Sequence, residues 1–585
     1  MNVVAGQEGK SVVEGRRGLM RAFKAPPLRN AVTLIVLVTL LVGFAVDGWV
    51  QVIQHWNAYH TDQTAYLRLA LHIQQGVALT DSSRNPLYPA MLAPIAQREW
   101  VFFTTAKLLN LSIAILTLIA VYRIGREISS VPAALFTVFL LSKTDIFLES
   151  ATKVVVEPVL TLLVFVTWFF LWQGQGAVRW WGLAGVGAGL AYLAKGTGQI
   201  IPIAFVPAAV LIYRAKAVRQ QSVWVFLAGY VAVAAGLWIH NTVTYGNPVY
   251  NVTTSHWLWL DQWEDKYTAD PSQWPTALTY LRTHSLAQIA RRFLTGLIAV
   301  WPSMEQAWFP MVRFLLPLCL AVAPTALVVR VIAVMLGRNQ GHGPASWRQT
   351  VDRIRAQREG VTITLVLLAL WYVFFAWYVP VAVQARFFLP LSPIVQCGLA
   401  SALVVGVRIV LDELPWSDGD GRAALVNLGY VSLAVLALVA TSHGVAMRIR
   451  QGELRNPFRS DVEQNAGGDE VLAWLMSNAN ERPVRMLYGP SKSLGIWRYV
   501  DIISHENLPS DLRTWNEVAD FIEEQRLTWA IVDFDLVDRR QELLGDYFSL
   551  DGEKANLVQP PPGWELVHEG ETSLYRWFVF RIVQC

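Results

Sequence analysis

The chain has 585 residues, of which 54% are hydrophobic and only 16% are charged, with a mean hydropathy of +0.36. Soluble domains are rarely so poor in charge, so the composition favours a membrane protein that crosses the bilayer several times and carries a modest soluble part. A net charge of +4 gives no broad basic field, which argues against nucleic acid as a partner.

Apolar runs along the chain predict about eleven membrane-spanning helices. A span needs about 20 apolar residues. The runs lie at 30–48, 101–121, 129–142, 154–173, 180–194, 199–213, 222–240, 311–336, 361–383, 387–411 and 423–443. The runs at 129–142, 180–194 and 199–213 are short, which favours helices that extend into their flanks or line a cavity.

The distribution of lysine and arginine predicts the orientation, because cytoplasmic loops carry an excess of both. Residues 1–29 are basic and are expected in the cytoplasm, followed by a transmembrane domain at 30–445. The alternation of spans then places two long loops, 49–100 and 241–310, on the outer side. An odd number of spans places the tail outside as well.

The tail at 446–585 loses the long apolar runs. Short β-rich stretches such as "PVRMLYG" and "TWAIVDFDLV" alternate with helical ones such as "WNEVADFIEEQRL". We therefore expect a small extracytoplasmic α/β domain.

Ionisable residues gather at the predicted outer ends of the spans. Such residues at membrane depth are costly and are candidates for function. The set is Asp62, Arg84, Lys143, Asp145, Glu149, Glu157, Lys195, His240 and Arg386. Together they predict one polar ring, with charges of both signs, at a single face of the membrane.

Each of these residues also has a structural interpretation. Asp62 is suited to capping the helix that it precedes, and Arg84 and Arg386 are suited to anchoring at lipid headgroups. Lys195 lies in a glycine-flanked turn that solvent could satisfy, and His240 is compatible with a helix core. The pattern "NVT" at 251–253 matches a glycosylation acceptor, while "DGD" at 418–420 and "DFD" at 533–535 are weak metal motifs.

One carboxylate near several cations at a membrane boundary suits the transfer of a group from a lipid phosphate to a hydroxyl. The cations would bind the phosphodiester and stabilise the charge of the leaving group. The carboxylate would accept the proton of the incoming hydroxyl. Such a single displacement inverts the anomeric centre and needs no protein nucleophile.

The ordered motifs resemble the membrane glycosyltransferases of the GT-C fold, in the branch of protein O-mannosyltransferases and lipid A aminoarabinose transferases. The matching stretches are "TDQTAYLRLA", "RNPLYP", "EPVLTLLVFV", "YLAKGTG", "HNTVTYGNPVY" and "RFFLPLSP". They cover roughly residues 30–410. The resemblance implies a GT-C-like helical membrane domain.

The resemblance also implies roles for individual residues. Asp62 corresponds to the catalytic or acceptor-binding acid, and Arg84 and Lys195 to groups that contact the lipid phosphate. Arg386 corresponds to a phosphate-binding or structural partner, and Glu157 to a second acid near the cavity. Asp145 and Glu149 are further candidate cavity acids, and His240 stands where the family often has arginine.

Gln63 stands where the family usually has a second acid, so no cofactor is expected and a divalent metal is not indicated. The sequence predicts an inverting glycosyltransferase of the plasma membrane. Its donor would be a polyprenyl-phosphate monosaccharide and its acceptor a glycan, lipid or protein of the cell envelope.

Three alternatives remain at this stage. A transporter or flippase of a lipid-linked or anionic substrate would also hold charges in a membrane cavity, but it favours charges near the midplane and repeat symmetry. An assembly subunit with a degenerate site and an oligosaccharyltransferase acting on asparagine are the other two.

Overall fold

A computed structural model of the chain describes residues 26–308, 357–413 and 435–583, apart from short gaps at 59–60, 175–176, 264, 266–273, 436–437, 440, 489–494, 500, 507, 510–511, 553 and 572–575. The predicted span 311–336, most of the predicted span 423–443, the "DGD" motif and the basic residues before 26 lie outside the described residues.

Helices form most of the described chain up to residue 413, because a backbone inside a bilayer has to satisfy its polar groups internally. They are α1 Pro26–Gln54, α2 Gln63–Gln74, α3 Leu87–Leu92, α4 Trp100–Ile128, α5 Val131–Ser142, α6 Asp145–Ala151, α7 Glu157–Gln173, α8 Val178–Ala194, α9 Ile200–Tyr213, α10 Gln221–Tyr245, α11 Val252–Ser255, α12 Ala277–Thr283, α13 Leu286–Ala299, α14 Trp301–Trp308, α15 Arg358–Ala382 and α16 Ser392–Glu413.

Six helical stretches within the described residues are long and apolar enough to cross a membrane, and the bent pair α5–α6 raises the number to seven if it is one span. The predicted helical membrane protein is therefore confirmed, whereas the predicted number of eleven spans stays a prediction. The helices α7 and α8 have only 17 residues each and are shorter than these spans. At 1.5 Å per residue such a helix is about 25 Å long, which is less than the ~30 Å core of a bilayer.

Glycines bring α8 and α10 into close contact. A Cβ atom on Gly185 would lie 2.0 Å from the carbonyl oxygen of Phe226. Small residues at such a crossing allow two membrane helices to pack backbone against backbone. The carboxyl end of α8, where Lys195 follows, is thereby fixed relative to its neighbour.

The tail folds into a domain with a central sheet, as the alternating β-rich and helical stretches predict. Its elements are α17 Pro457–Asn478, β1 Val484–Tyr488, β2 Ile503–Glu506, α18 Trp515–Gln525, β3 Trp529–Asp533, α19 Phe534–Arg539, α20 Gln541–Leu544, β4 Phe548–Asp551, β5 Lys554–Leu557, β6 Trp564–Glu571 and β7 Arg576–Ile582.

The sheet has five described strands in the order β2-β1-β3-β7-β6, with β1 parallel to β2 and β3 and with β7 antiparallel to its two neighbours. Successive residues of a strand face opposite sides. One face packs against α17 through residues such as Leu472 and Met486, and the other packs against α18 through residues such as Ile522 and Leu487.

The helix α17 also docks the C-terminal domain on the membrane domain. Lys107 Nζ in α4 donates to Asp461 Oδ1 in α17 at 2.8 Å, and both side chains are 0% exposed. Asn465 Nδ2 donates to the carbonyl oxygen of Trp56 at 3.1 Å. The domain therefore contacts the chain segment between α1 and α2, which carries Asp62.

Candidate active site

Asp62 lies directly before α2, and each of its two carboxylate oxygens accepts a hydrogen bond from a different arginine. Arg84 Nη2 donates to Oδ1 at 2.7 Å and Arg386 Nη2 donates to Oδ2 at 3.0 Å. The Asp62 side chain makes no capping hydrogen bond to α2. The carboxylate of Asp62 therefore binds the two guanidinium groups and does not cap the helix.

Arg84 lies in the loop before α3, where Asp81 fixes its position. Arg84 Nη1 donates to Asp81 Oδ2 at 2.7 Å, while Asp81 Oδ1 accepts from the backbone N–H groups of Ser83 and Arg84 at 3.0 and 2.7 Å. Asp81 was not among the site residues predicted from the sequence. Within "TDSSRN" it has the ordinary signature of an Asx turn, whose carboxylate binds backbone N–H groups just after it.

Lys195 and Glu157 form the second pair of the site. Lys195 follows α8 and Glu157 begins α7, and Lys195 Nζ donates to Glu157 Oε1 at 2.8 Å. Arg386 Nε lies 3.9 Å from the same oxygen, which connects the two pairs. The ring of Phe387 packs beside both cations, with its centroid 4.7 Å from Lys195 Nζ and 5.4 Å from Arg386 Cζ.

We call these six groups the charge cluster: Asp62, Asp81, Arg84, Glu157, Lys195 and Arg386. It contains three cations and three carboxylates, so its formal charge is zero when all six are ionised. Burial raises the pKa of the Asp62 carboxyl, but the charges of Arg84 and Arg386 outweigh it and hold that pKa well below its usual range.

Several polar atoms of the cluster are buried without a hydrogen-bond partner among the described residues. They include Arg84 Nε, Arg386 Nη1 and Glu157 Oε2. Buried polar atoms of this kind are costly unless a ligand or water satisfies them. Two of the three atoms belong to guanidinium groups, which indicates an anionic ligand.

Within the described part of the chain, the other four residues of the predicted ring are not paired with the charge cluster. Asp145 begins α6 and is exposed, Glu149 in α6 pairs with Lys153, and Lys143 lies 3.5 Å from Asp47 across an exposed pair. His240 lies in α10, and no hydrogen bond or ion pair in the described ranges links it to the cluster.

Gln63, which stands where a second acid was expected, holds the loop in place. Its side chain is 0% exposed, Nε2 donates to the carbonyl oxygen of Asn57 at 3.0 Å, and Oε1 accepts from the backbone N–H of Val154 at 2.8 Å. Across the described residues, no group of three or more His, Cys, Asp or Glu side chains is arranged to hold a metal ion.

A cavity of about 90 Å³ adjoins Lys195. Its lining combines hydroxyl-bearing side chains with aromatic ones, and apolar surface predominates. Its lining residues are Ser83, Lys195, Gly196, Thr197, Asn251, Thr253, Thr254, Leu258, Phe374, Phe375, Tyr378 and Phe387. An amphipathic ligand with an anionic group at Lys195 fits this distribution.

The comparison with protein families supports the resemblance found in the sequence. Residues 98–240 match the family described as dolichyl-phosphate-mannose-protein mannosyltransferase. The matched segment contains Glu157 and Lys195 and runs from the start of α4 into α10. The match confirms the predicted class of protein, a membrane glycosyltransferase that uses a lipid-linked sugar donor.

Among solved structures, three membrane enzymes are similar to this chain over at least 90% of its length. ArnT from Cupriavidus metallidurans bound to undecaprenyl phosphate has 15% identity and a TM-score of 0.47, covering 95% of this chain and 98% of that chain. The Archaeoglobus fulgidus oligosaccharyltransferase tethered with an acceptor peptide has 11% identity and a TM-score of 0.45, covering 90% and 74%. The arabinofuranosyltransferase AftD from Mycobacteria has 14% identity and a TM-score of 0.41, covering 95% and 40%. None of the curated proteins compared with the chain matches it.

Proposed function

We propose that the protein transfers a monosaccharide from a polyprenyl-phosphate donor to a hydroxyl group of a cell-envelope glycan, lipid or protein, with inversion at the anomeric carbon. The observation that carries this proposal is the pair of guanidinium groups, Arg84 and Arg386, which share the Asp62 carboxylate and retain buried N–H donors without a partner among the described residues. An oxyanion that develops on a leaving phosphate needs such donors.

In the proposed reaction, Arg84, Lys195 and Arg386 bind the donor phosphate. The acceptor oxygen attacks the anomeric carbon as its proton passes to the Asp62 carboxylate, and the bond between that carbon and the phosphate oxygen breaks. The electron pair of the broken bond goes to the polyprenyl phosphate, whose added charge the three cations stabilise. Glu157 orients Lys195, and the proton on Asp62 returns to solvent or to the departing phosphate.

We further propose that the reaction takes place on the outer face of the plasma membrane, with the N-terminus in the cytoplasm and the C-terminal domain outside. Two observations support this orientation. The segment that carries Asp62 contacts α17 of the C-terminal domain, so both belong to one side. The basic residues "YRAKAVR" between α9 and α10 belong to the opposite end of the spans, as cytoplasmic loops do.

The test uses the purified full-length protein in lipid nanodiscs with labelled polyprenyl-phosphate sugars and fractionated envelope acceptors. Wild-type protein should form a product whose anomeric configuration is opposite to that of the donor. Replacing Asp62 by asparagine should reduce transfer by about 10²–10⁴-fold, the usual contribution of a general base.

Asp261→Asn is the matched control, because Asp261 is also paired with an arginine, at 3.6 Å from Arg292, and lies outside the cluster. Undiminished transfer by the Asp62→Asn protein would remove Asp62 from the role of base. Movement of the lipid-linked sugar across the membrane without any transfer would favour the transporter alternative.

A further inference from the structure

The charge cluster has no net charge with which to receive another anion. Its three cations are already engaged by three carboxylates, at distances of 2.7 to 3.0 Å for the closest pairs. A donor phosphodiester brings one more negative charge into a half-buried site where charges are weakly screened. The added negative charge is accommodated best if one carboxylate gives up its cations when the phosphate binds.

The three carboxylates differ in how firmly they are held. Glu157 is the first residue of α7 and is only 2% exposed, so its side chain is enclosed by protein. Asp81 accepts two backbone hydrogen bonds from its own turn besides its bond to Arg84. Burial of Glu157 and the backbone hydrogen bonds of Asp81 keep both acids in place when a competing anion arrives.

Asp62 lacks such anchors. Its side chain is the most exposed of the three acids at 36%, compared with 20% for Asp81, and it makes no capping bond to α2. Its hydrogen bonds run to Arg84 and Arg386, the same two groups that have unsatisfied N–H donors. Asp62 thus occupies, as an internal anion, the place that a phosphate would take.

We infer that Asp62 is an internal competitor for the donor phosphate, and that phosphate binding to Arg84 and Arg386 releases its carboxylate to act as the base. This inference rests on the proposed function and adds an order of events to it: the donor binds first, and the acceptor hydroxyl is activated only afterwards. While both arginines bind Asp62, its carboxylate is a weak proton acceptor; once they bind phosphate, its proton affinity rises.

Replacing Asp62 distinguishes a competitor from a positioning residue. If Asp62 only positioned the arginines, its replacement would weaken phosphate binding. If it competes with the phosphate, removing its charge strengthens phosphate binding. Undecaprenyl phosphate is the probe, and its dissociation constant is measured with the full-length protein in nanodiscs. Asp62→Asn should bind the probe roughly tenfold more tightly than wild type, because one competing ion pair has been removed.

Two variants complete the measurement. Arg386→Gln should bind the probe at least several-fold more weakly, because it removes a phosphate ligand. Asp261→Asn should bind as wild type does, since its carboxylate is paired with Arg292 elsewhere. A misfolded protein does not gain affinity, so the direction of the change distinguishes competition from damage.

Tighter binding by Asp62→Asn supports the inference. Equal or weaker binding by Asp62→Asn, with intact binding by wild type, overturns it and leaves the proposed function standing. Failure of the wild-type protein to bind undecaprenyl phosphate contradicts the proposed function itself, and this inference with it.

Discussion

Lys195 Nζ and Glu157 Oε1 lie 2.8 Å apart, at a point where the end of one membrane helix meets the start of another. Glu157 is the first residue of α7, and Lys195 follows the last residue of α8. The pair fixes the lysine at the edge of the cavity while leaving it 24% exposed, so that the cation is positioned and still accessible.

Replacing Lys195 by methionine should reduce transfer by about 10–100-fold and raise the KM for the donor, because a charged contact to the phosphate is lost. The variant should also lose roughly 1.5–3 kcal/mol of stability, since Glu157 is left buried without its partner. The double variant Lys195→Met with Glu157→Gln should recover stability and not transfer. Steady-state kinetics and thermal unfolding of both proteins check this, and recovery of transfer by the double variant would contradict the role of Lys195.

Breaking the buried ion pair of Lys107 and Asp461 from one side should cost more stability than removing both of its charges. Replacing Asp461 by leucine leaves an uncompensated ammonium group and should cost about 3–5 kcal/mol, whereas Lys107→Met together with Asp461→Leu should lie much closer to wild type. Unfolding in denaturant is measured for wild type, Asp461→Leu, Lys107→Met and the double variant. If the loss of stability in the double variant equalled the sum of the losses in the two single variants, the pair would not be the source of the effect.

His55 should make the protein sensitive to acid. Burial first, and then the charge of Lys153, lower the pKa of its imidazole to about 4 in the folded protein, compared with about 6.5 when unfolded. Between these values the unfolded chain binds a proton that the folded chain does not, so stability is complete above pH 6.5 and falls as the pH drops towards 4.

The loss is at most about 3 kcal/mol. Thermal unfolding at pH 7.5 and pH 5 should show a smaller decrease for His55→Gln than for wild type. His443→Gln serves as the control, because His443 is exposed. An equal decrease in all three proteins would exclude His55 as the cause.

The "NVT" pattern at 251–253 should not carry a glycan. Asn251 is 8% exposed, and its Nδ2 donates to the carbonyl oxygen of Ser83 at 2.8 Å and to Asn85 Oδ1 at 3.3 Å. The intact masses of wild type and Thr253→Ala should differ only by the mass of the substitution itself. Asn251→Ala should lose about 1–3 kcal/mol of stability, because it leaves these partners unsatisfied. A further mass decrease in Thr253→Ala, of the size of a glycan, would show that the site is modified.

The sequence indicated which residues share a face, and the structure adds how they are paired. Asp62, Arg84, Glu157, Lys195 and Arg386 follow or precede apolar runs whose alternation puts those ends on one side. Pairing depends on distances of a few ångströms between residues up to 324 positions apart, as for Asp62 and Arg386, and no local pattern encodes them. Asp81 was missed for a different reason: it pairs with Arg84 only three positions away, and its local turn chemistry already accounts for it.

Lys107 illustrates the same limit in the fold. It interrupts the apolar run at 101–121, and its partner Asp461 lies 354 positions away in a different domain. Hydropathy alone also does not determine how many of the apolar helices cross the membrane. A 17-residue helix such as α7 is buried against its neighbours, and its apolar character then reflects protein contacts as much as lipid.

The contact between α17 and the segment before Asp62 has a consequence for biosynthesis. Lys107 also donates to the carbonyl oxygens of Val52 and His55, at 2.8 and 3.2 Å, and Asn465 holds that of Trp56. The ribosome makes α17 only after the helices up to α16, so the turn in front of Asp62 acquires its last supports late in synthesis. In a chain truncated before residue 457, the Lys107 ammonium group in α4 keeps its two carbonyl partners but has lost Asp461, the carboxylate that balances its charge.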